Sequence, residues 1–123
     1  MWKRLRGFAL VEIAPGDSSM AQEGAALVTA TERANEIGFT LCRARNGKLV
    51  RGPMASGTPM NVDIPLKCPS DSQMVGLFHT HPGGVPYPSD IDLKSAARVG
   101  VSNLCIDADG TLNCFRLRKR GRK

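Results

Sequence analysis

The segment His79-Thr80-His81-Pro82-Gly83-Gly84-Val85-Pro86-Tyr87-Pro88-Ser89-Asp90-Ile91-Asp92 decides how this chain is read. Both histidines of the sequence fall in it, one residue apart. In an extended segment residues i and i+2 share a face, so His79 and His81 project together if a strand leads into them. Gln73 to His79 contains Met74, Val75, Leu77 and Phe78, a short apolar run bounded by turn residues that reads as a buried central strand. Pro82 to Pro88 holds three prolines and two glycines and cannot be regular structure. Ser89 then caps a helix running to about Val99, with Asp90 and Asp92 in the first turn, where carboxylates favour the helix dipole. Strand, turn and helix start thus bring two imidazoles and the Asp92 carboxylate to one place. Two neutral imidazoles, one carboxylate and an open fourth position suit Zn²⁺. The same set can hold Fe²⁺ as a two-histidine, one-carboxylate triad, with zinc favoured.

Each part also has an ordinary use. A histidine at a strand end can be just a polar residue, Ser89 to Asp92 fits a capping box, and both aspartates can simply complement the dipole. Taken one at a time, these readings suffice. Together they leave unexplained why both histidines converge with a rigid Pro/Gly loop and a capped helix.

A water activated by such a metal needs a base. The candidate upstream glutamates are Glu12, Glu23, Glu32 and Glu36. Glu23 and Glu32 look like solvated helix positions. Glu36 opens Glu36-Ile37-Gly38-Phe39-Thr40-Leu41, and a start-of-strand position can aim a carboxylate into a site.

Working outward, Phe8 to Ile13 reads as a first strand ended by Pro15-Gly16. Ser19 to Gln22 offers a capping box for an alanine-rich helix running to about Asn35, weakened by Gly24. Ile37 to Ala44 and Lys48 to Met54 form a hairpin about Asn46-Gly47. Asn61 to Leu66 is a short strand within proline-rich loops. Val101 to Asp107 and Thr111 to Leu117 form a closing hairpin about Asp109-Gly110, a type I′ turn signal. Counting outward from that turn pairs Ala108 with Thr111 and Cys105 with Cys114. The order of elements gives a single α+β (α/β layered) domain, residues 1–117, followed by a basic tail, 118–123.

The net charge of +6 belongs to the last eight residues, the tail and the end of the strand before it. Arg116, Arg118, Lys119, Arg120, Arg122 and Lys123 carry six positive charges; without them eleven basic and eleven acidic residues remain. Such a tail can bind nucleic acid or an acidic partner, or serve only as a solvated terminus. No apolar run approaches membrane-spanning length, so no membrane association is expected. Met1 to Arg6 mimics a secretory leader, but the apolar stretch after it is short and contains Glu12, so it reads as a strand. A cytoplasmic location and reduced cysteines are therefore expected; Cys105 and Cys114, facing each other on one sheet face, read as two small buried thiols, with a disulfide between them as the alternative.

The pattern His79-Thr80-His81-Pro82, then Pro88-Ser89-Asp90-Ile91-Asp92, with Glu36 upstream, resembles the JAMM (MPN-plus) metallopeptidases. The resemblance covers roughly Phe8 to Leu117 in element order. It implies a cytidine-deaminase-like, curved mixed sheet flanked by two main helices. It also implies one zinc ion on His79, His81 and Asp92, with Glu36 as the proton carrier and Ser89 as an oxyanion donor. The implied reaction is hydrolysis of a peptide or isopeptide bond at the C-terminus of a ubiquitin-like modifier. The chain stops soon after the closing hairpin, without room for the insertions of eukaryotic deubiquitinases. That points to a minimal enzyme of prokaryotic or viral type acting on small modifiers, sulfur-carrier-like proteins or peptides. Gly83 and Gly84 also resemble the loop of RadC-type proteins, which with the basic tail gives a nucleic-acid-associated module as the alternative. A non-catalytic MPN interaction domain is a third reading.

Overall fold

The computed structural model describes residues 2–3, 11–29, 36–56 and 64–119. Its centre is a pair of strands whose side chains alternate between two cores. Strand β3 (Ile37–Ala44) runs antiparallel to β6 (Ser72–Thr80), with Gly38 opposite His79, Phe39 opposite Phe78 and Thr40 opposite Leu77. On one face Ile37, Phe39, Leu41 and Phe78 meet helix α1 (Ser18–Ala26) through Met20, Ala21 and Ala25. The rings of Phe39 and Phe78 stack with centroids 5.0 Å apart. On the other face Leu77 meets helix α2 (Asp90–Val99) through Leu93, Ala96 and Ala97. A period-2 pattern with both faces apolar is what a strand between two helical layers requires.

The remaining strands are β1 (Trp2–Lys3), β2 (Val11–Pro15), β4 (Leu49–Arg51), β5 (Ala55–Ser56), β7 (Asn103–Ala108) and β8 (Thr111–Lys119). Among the described residues the sheet has eight strands, in the order β1-β2-β8-β7-β6-β3-β4, with β5 also on β3. All pairs are antiparallel except β6 and β7. A parallel pair needs a crossover, and α2 supplies it. The fold is therefore α+β, a mixed sheet between two helices, as the order of elements predicts. No helix among the described residues is long and apolar enough to cross a membrane.

Several expectations hold closely. β3 begins and ends where predicted. The β7–β8 turn has positive φ at Asp109 and Gly110, 51° and 94°, as a type I′ turn demands. Its register pairs Ala108 with Thr111 and Cys105 with Cys114.

Others are corrected. α1 ends at Ala26, not near Asn35, and its cap is Asp17, whose carboxylate accepts the Ser19 N–H at 2.9 Å. Alanine-rich composition has no stop signal of its own, whereas Val28 and Thr29 are β-branched and continue the helix poorly; 30–35 lie outside the described residues. β4 is three residues long, and Gly52 to Met54 leave the strand. Residues 64–66 are not a strand, while 61–63 and Phe8 to Leu10 lie outside the described residues.

The cysteines are not reduced: Cys42 is bonded to Cys68 and Cys105 to Cys114, with Cα separations of 5.8 and 4.0 Å. The sheet register places the second pair face to face. The first pair ties the irregular segment after Ile64 onto β3, beside the hydrogen bond from Thr40 Oγ1 to the Pro65 carbonyl at 2.9 Å. Bonded pairs of this kind are maintained by oxidising surroundings.

Candidate metal centre

β6 ends at Thr80, so His79 is its penultimate residue and His81 the first residue beyond it. The His81 N–H donates to the Asp107 carbonyl at 2.8 Å, which holds the exit of β6 against β7. The turn that follows is tied down twice more. Gly84 N–H donates to the His81 carbonyl at 3.0 Å, and Gly83 N–H donates to the Asp109 carboxylate in the β7–β8 turn. Gly83 has φ +65°, a conformation glycine adopts without cost.

α2 then starts with a complete capping box. Ser89 Oγ accepts the Asp92 N–H at 3.1 Å and Asp92 Oδ2 accepts the Ser89 N–H at 2.9 Å. That cap does not use up Asp92. Its Oδ2 also lies 3.4 Å from His81 Nε2 and its Oδ1 lies 3.7 Å from His79 Nδ1. The helix cap and the metal cluster are thus one structure rather than alternatives: the cap fixes the rotamer that points the carboxylate at both rings.

One donor atom from each of His79, His81 and Asp92 lies within 4.8 Å of the others. The two contacts are long for charge-assisted hydrogen bonds, which run at about 2.7–2.9 Å. They are close to the edge of a tetrahedron built on zinc bonds of about 2.05 Å, which is roughly 3.3 Å. The donor chemistry, two imidazole nitrogens and a carboxylate, also fits zinc. His81 Nδ1 lies 3.2 Å from the Val85 carbonyl, where it donates its proton, which leaves Nε2 as the nitrogen that faces Asp92 and can ligate an ion. The sequence fits a metal centre at these three residues, whichever ion fills it.

The electrostatics agree. Burial pushes His79 toward its neutral, ligating form, against the pull of Asp92. His81 is raised, first by its contact with Asp92. Burial would raise Asp92, but His81, His79 and the Ser89 hydrogen bonds outweigh it and hold the carboxyl at about 2. Asp92 is therefore a carboxylate at any working pH.

Glu36 stands just before β3, half-buried. Continuing the β3–β6 register beyond Gly38 and His79 puts Glu36 opposite His81. Burial raises its pKa; the His81 charge opposes this and the Asp92 charge adds to it, so its carboxyl feels both ligands. A cavity of about 230 Å³ reaches His79 from between α2 and the segment after Ile64, lined by Ile64, Leu66, Leu77, Ser95, Arg98 and Val99.

Of the basic residues, Arg116, Arg118 and Lys119 belong to β8. Arg118 pairs with Glu12 across the β2–β8 ladder at 2.8 Å. Arg120, Arg122 and Lys123 lie outside the described residues. Sequence reasoning passed over the groups that hold the centre from behind: Thr80, Val85, Asp107 and Asp109. Asp109 was visible only as a turn residue, and Thr80 only as the spacer between two histidines.

The model of the prokaryotic homologs of the JAB domain matches residues 12–118. No curated protein matches the chain significantly. The matched span runs from within β2 to within β8 and includes every residue of the centre, and the chain belongs to the prokaryotic JAB-domain family.

Proposed function

We propose that this protein is a zinc-dependent hydrolase that cleaves peptide or isopeptide bonds, removing a ubiquitin-like or small sulfur-carrier-like modifier. The observation that carries this reading is the dual use of Asp92, locked by the Ser89 cap and spaced from two histidines as ligands of one ion are spaced from each other. Three protein ligands leave a position open for chemistry, whereas structural zinc usually takes four. His79, His81 and Asp92 would hold the zinc ion, which would supply the Lewis acidity that activates water and polarises the scissile carbonyl.

The chain's own groups do the rest. Glu36, with its pKa raised by burial, accepts a proton from the attacking water and delivers it to the amine nitrogen as the C–N bond breaks. The Ser89 hydroxyl accepts the Asp92 N–H through its oxygen, so its proton points away from the helix and can donate to the oxyanion. The cavity along Leu77 and His79 gives an extended peptide a path to the bond to be cut.

The test is metal analysis combined with cleavage of a panel of isopeptide-linked ubiquitin-like and sulfur-carrier-like conjugates. Wild type should carry one zinc per chain and cleave a member of the panel. Glu36→Ala and Ser89→Ala should keep the zinc and lose about 100-fold or more in rate. Unchanged cleavage by Glu36→Ala sinks the mechanism; a full complement of zinc with no cleavage by wild type sinks the activity.

A further inference from the structure

The proton carrier of that reading, Glu36, stands just outside the strand ladder, and a side chain from β6 binds the amide that follows it. β3 starts at Ile37 and β6 stops at Thr80, so the ladder between them runs out at this end. The Ile37 N–H belongs to the peptide that joins Ile37 to Glu36. It is bound by a side chain, donating to Thr80 Oγ1 at 2.9 Å in a buried contact between residues 43 apart in sequence. Thr80 and Ile37 are 4 % and 1 % exposed, so water does not compete for this bond.

Fixing that N–H fixes the plane of the Glu36–Ile37 peptide, and with it the Cα from which the Glu36 carboxylate hangs. The same threonine stands between His79 and His81, whose backbone is held on its far side by the His81 N–H bond to Asp107. One residue therefore touches both halves of the centre, the histidine-bearing segment covalently and the glutamate-bearing segment by hydrogen bond. We infer that Thr80 is a positioning residue that sets the distance between Glu36 and the histidine pair, acting through the Ile37 amide. This rests on the hydrolase reading for its effect on rate, and on the geometry alone for its effect on placement.

The test compares Thr80→Val, which keeps the shape and loses the acceptor, with Thr80→Ser, which keeps the acceptor. Thr80→Ala stands in should the valine variant not fold. Three readouts are taken: zinc content, kcat and KM on the panel member that is cleaved, and the shift of the Glu36 side-chain carboxyl ¹³C resonance on adding zinc. Thr80→Val should bind zinc as wild type does, keep KM within about twofold and lose about 10- to 100-fold in kcat, as small misplacements of a reacting group do. Its Glu36 resonance should respond to zinc less than that of wild type. Thr80→Ser should restore kcat to within about threefold and recover the full shift.

Equal impairment of valine and serine variants would mean that the γ-methyl packing matters and not the hydrogen bond, and overturns the inference. So does loss of zinc from Thr80→Val, or a wild-type kcat in it. If wild type cleaves nothing, the hydrolase reading has failed by itself, and the Glu36 resonance still decides: an undiminished shift in Thr80→Val overturns the placement, a diminished one supports it.

Discussion

Both carboxylate oxygens of Asp92 are engaged, one with the Ser89 N–H and His81, the other with His79. In the metal-free protein this makes folding depend on its ionisation. Its pKa is held at about 2 against an ordinary value of 3.8. A depressed carboxyl stabilises the fold fully above its unfolded pKa and loses that contribution as pH falls through the folded one. Between roughly pH 4 and pH 2 the metal-free chain should therefore lose about 2 kcal/mol from this group. Urea titrations across that window should show the loss in wild type and a much flatter profile in Asp92→Asn; equal profiles would refute it. The two histidines and Asp92 were readable from sequence because strand parity and one helix turn suffice to bring them together. Thr80 was not, since its partner is contributed by a strand 43 residues away and parity puts its side chain off the histidine face.

α1 shows how an element can carry information that its local propensity contradicts. Gly24 weakens the helix, and the usual remedy of replacing it with alanine should stabilise by up to about 1 kcal/mol. The sheet forbids the remedy here. A Cβ on Gly24 would stand 2.8 Å from Phe78 Cδ2 and 2.9 Å from Cε2, in the stack that Phe78 makes with Phe39. Gly24→Ala should therefore destabilise, by about 1–3 kcal/mol as overpacked cores do, and lower the melting temperature. A rise would show that the helix shifts freely on the sheet. The limits that were legible are those marked by a cap or turn residue: α2 between Ser89 and Gly100, the end of β3 before Asn46-Gly47, and the shared turn of β7 and β8 at Asp109-Gly110, whose outer ends lie at Asn103 and Lys119 and not at Val101 and Leu117. The end of α1 was not, because the alanines run on without a glycine or proline to stop them.

Across the whole molecule, two disulfides stand where reduced thiols were expected. The Cys42–Cys68 bond was illegible because its second cysteine sits in a proline-rich segment with no periodicity to count along. It closes a loop spanning 26 residues, for which the chain-entropy model gives about 3–4 kcal/mol. Adding a reductant should lower the melting temperature by several degrees, and Cys42→Ala with Cys68→Ala should reproduce most of the drop; no change would mean that the strap is held by packing alone. The connectivity of the sheet has a different consequence. His79, His81 and Asp92 all come from residues 79–92, on either side of the crossover from β6 into α2, whereas Glu36 arrives only when β3 has docked. The three candidate ligands and the proposed proton carrier are thus assembled by different lengths of chain. During folding, the short-range half can capture an ion before the long-range half exists, and the ion then selects the conformers onto which β3 can close. The ion would act first as a template for the site that holds it, and only afterwards in the proposed chemistry.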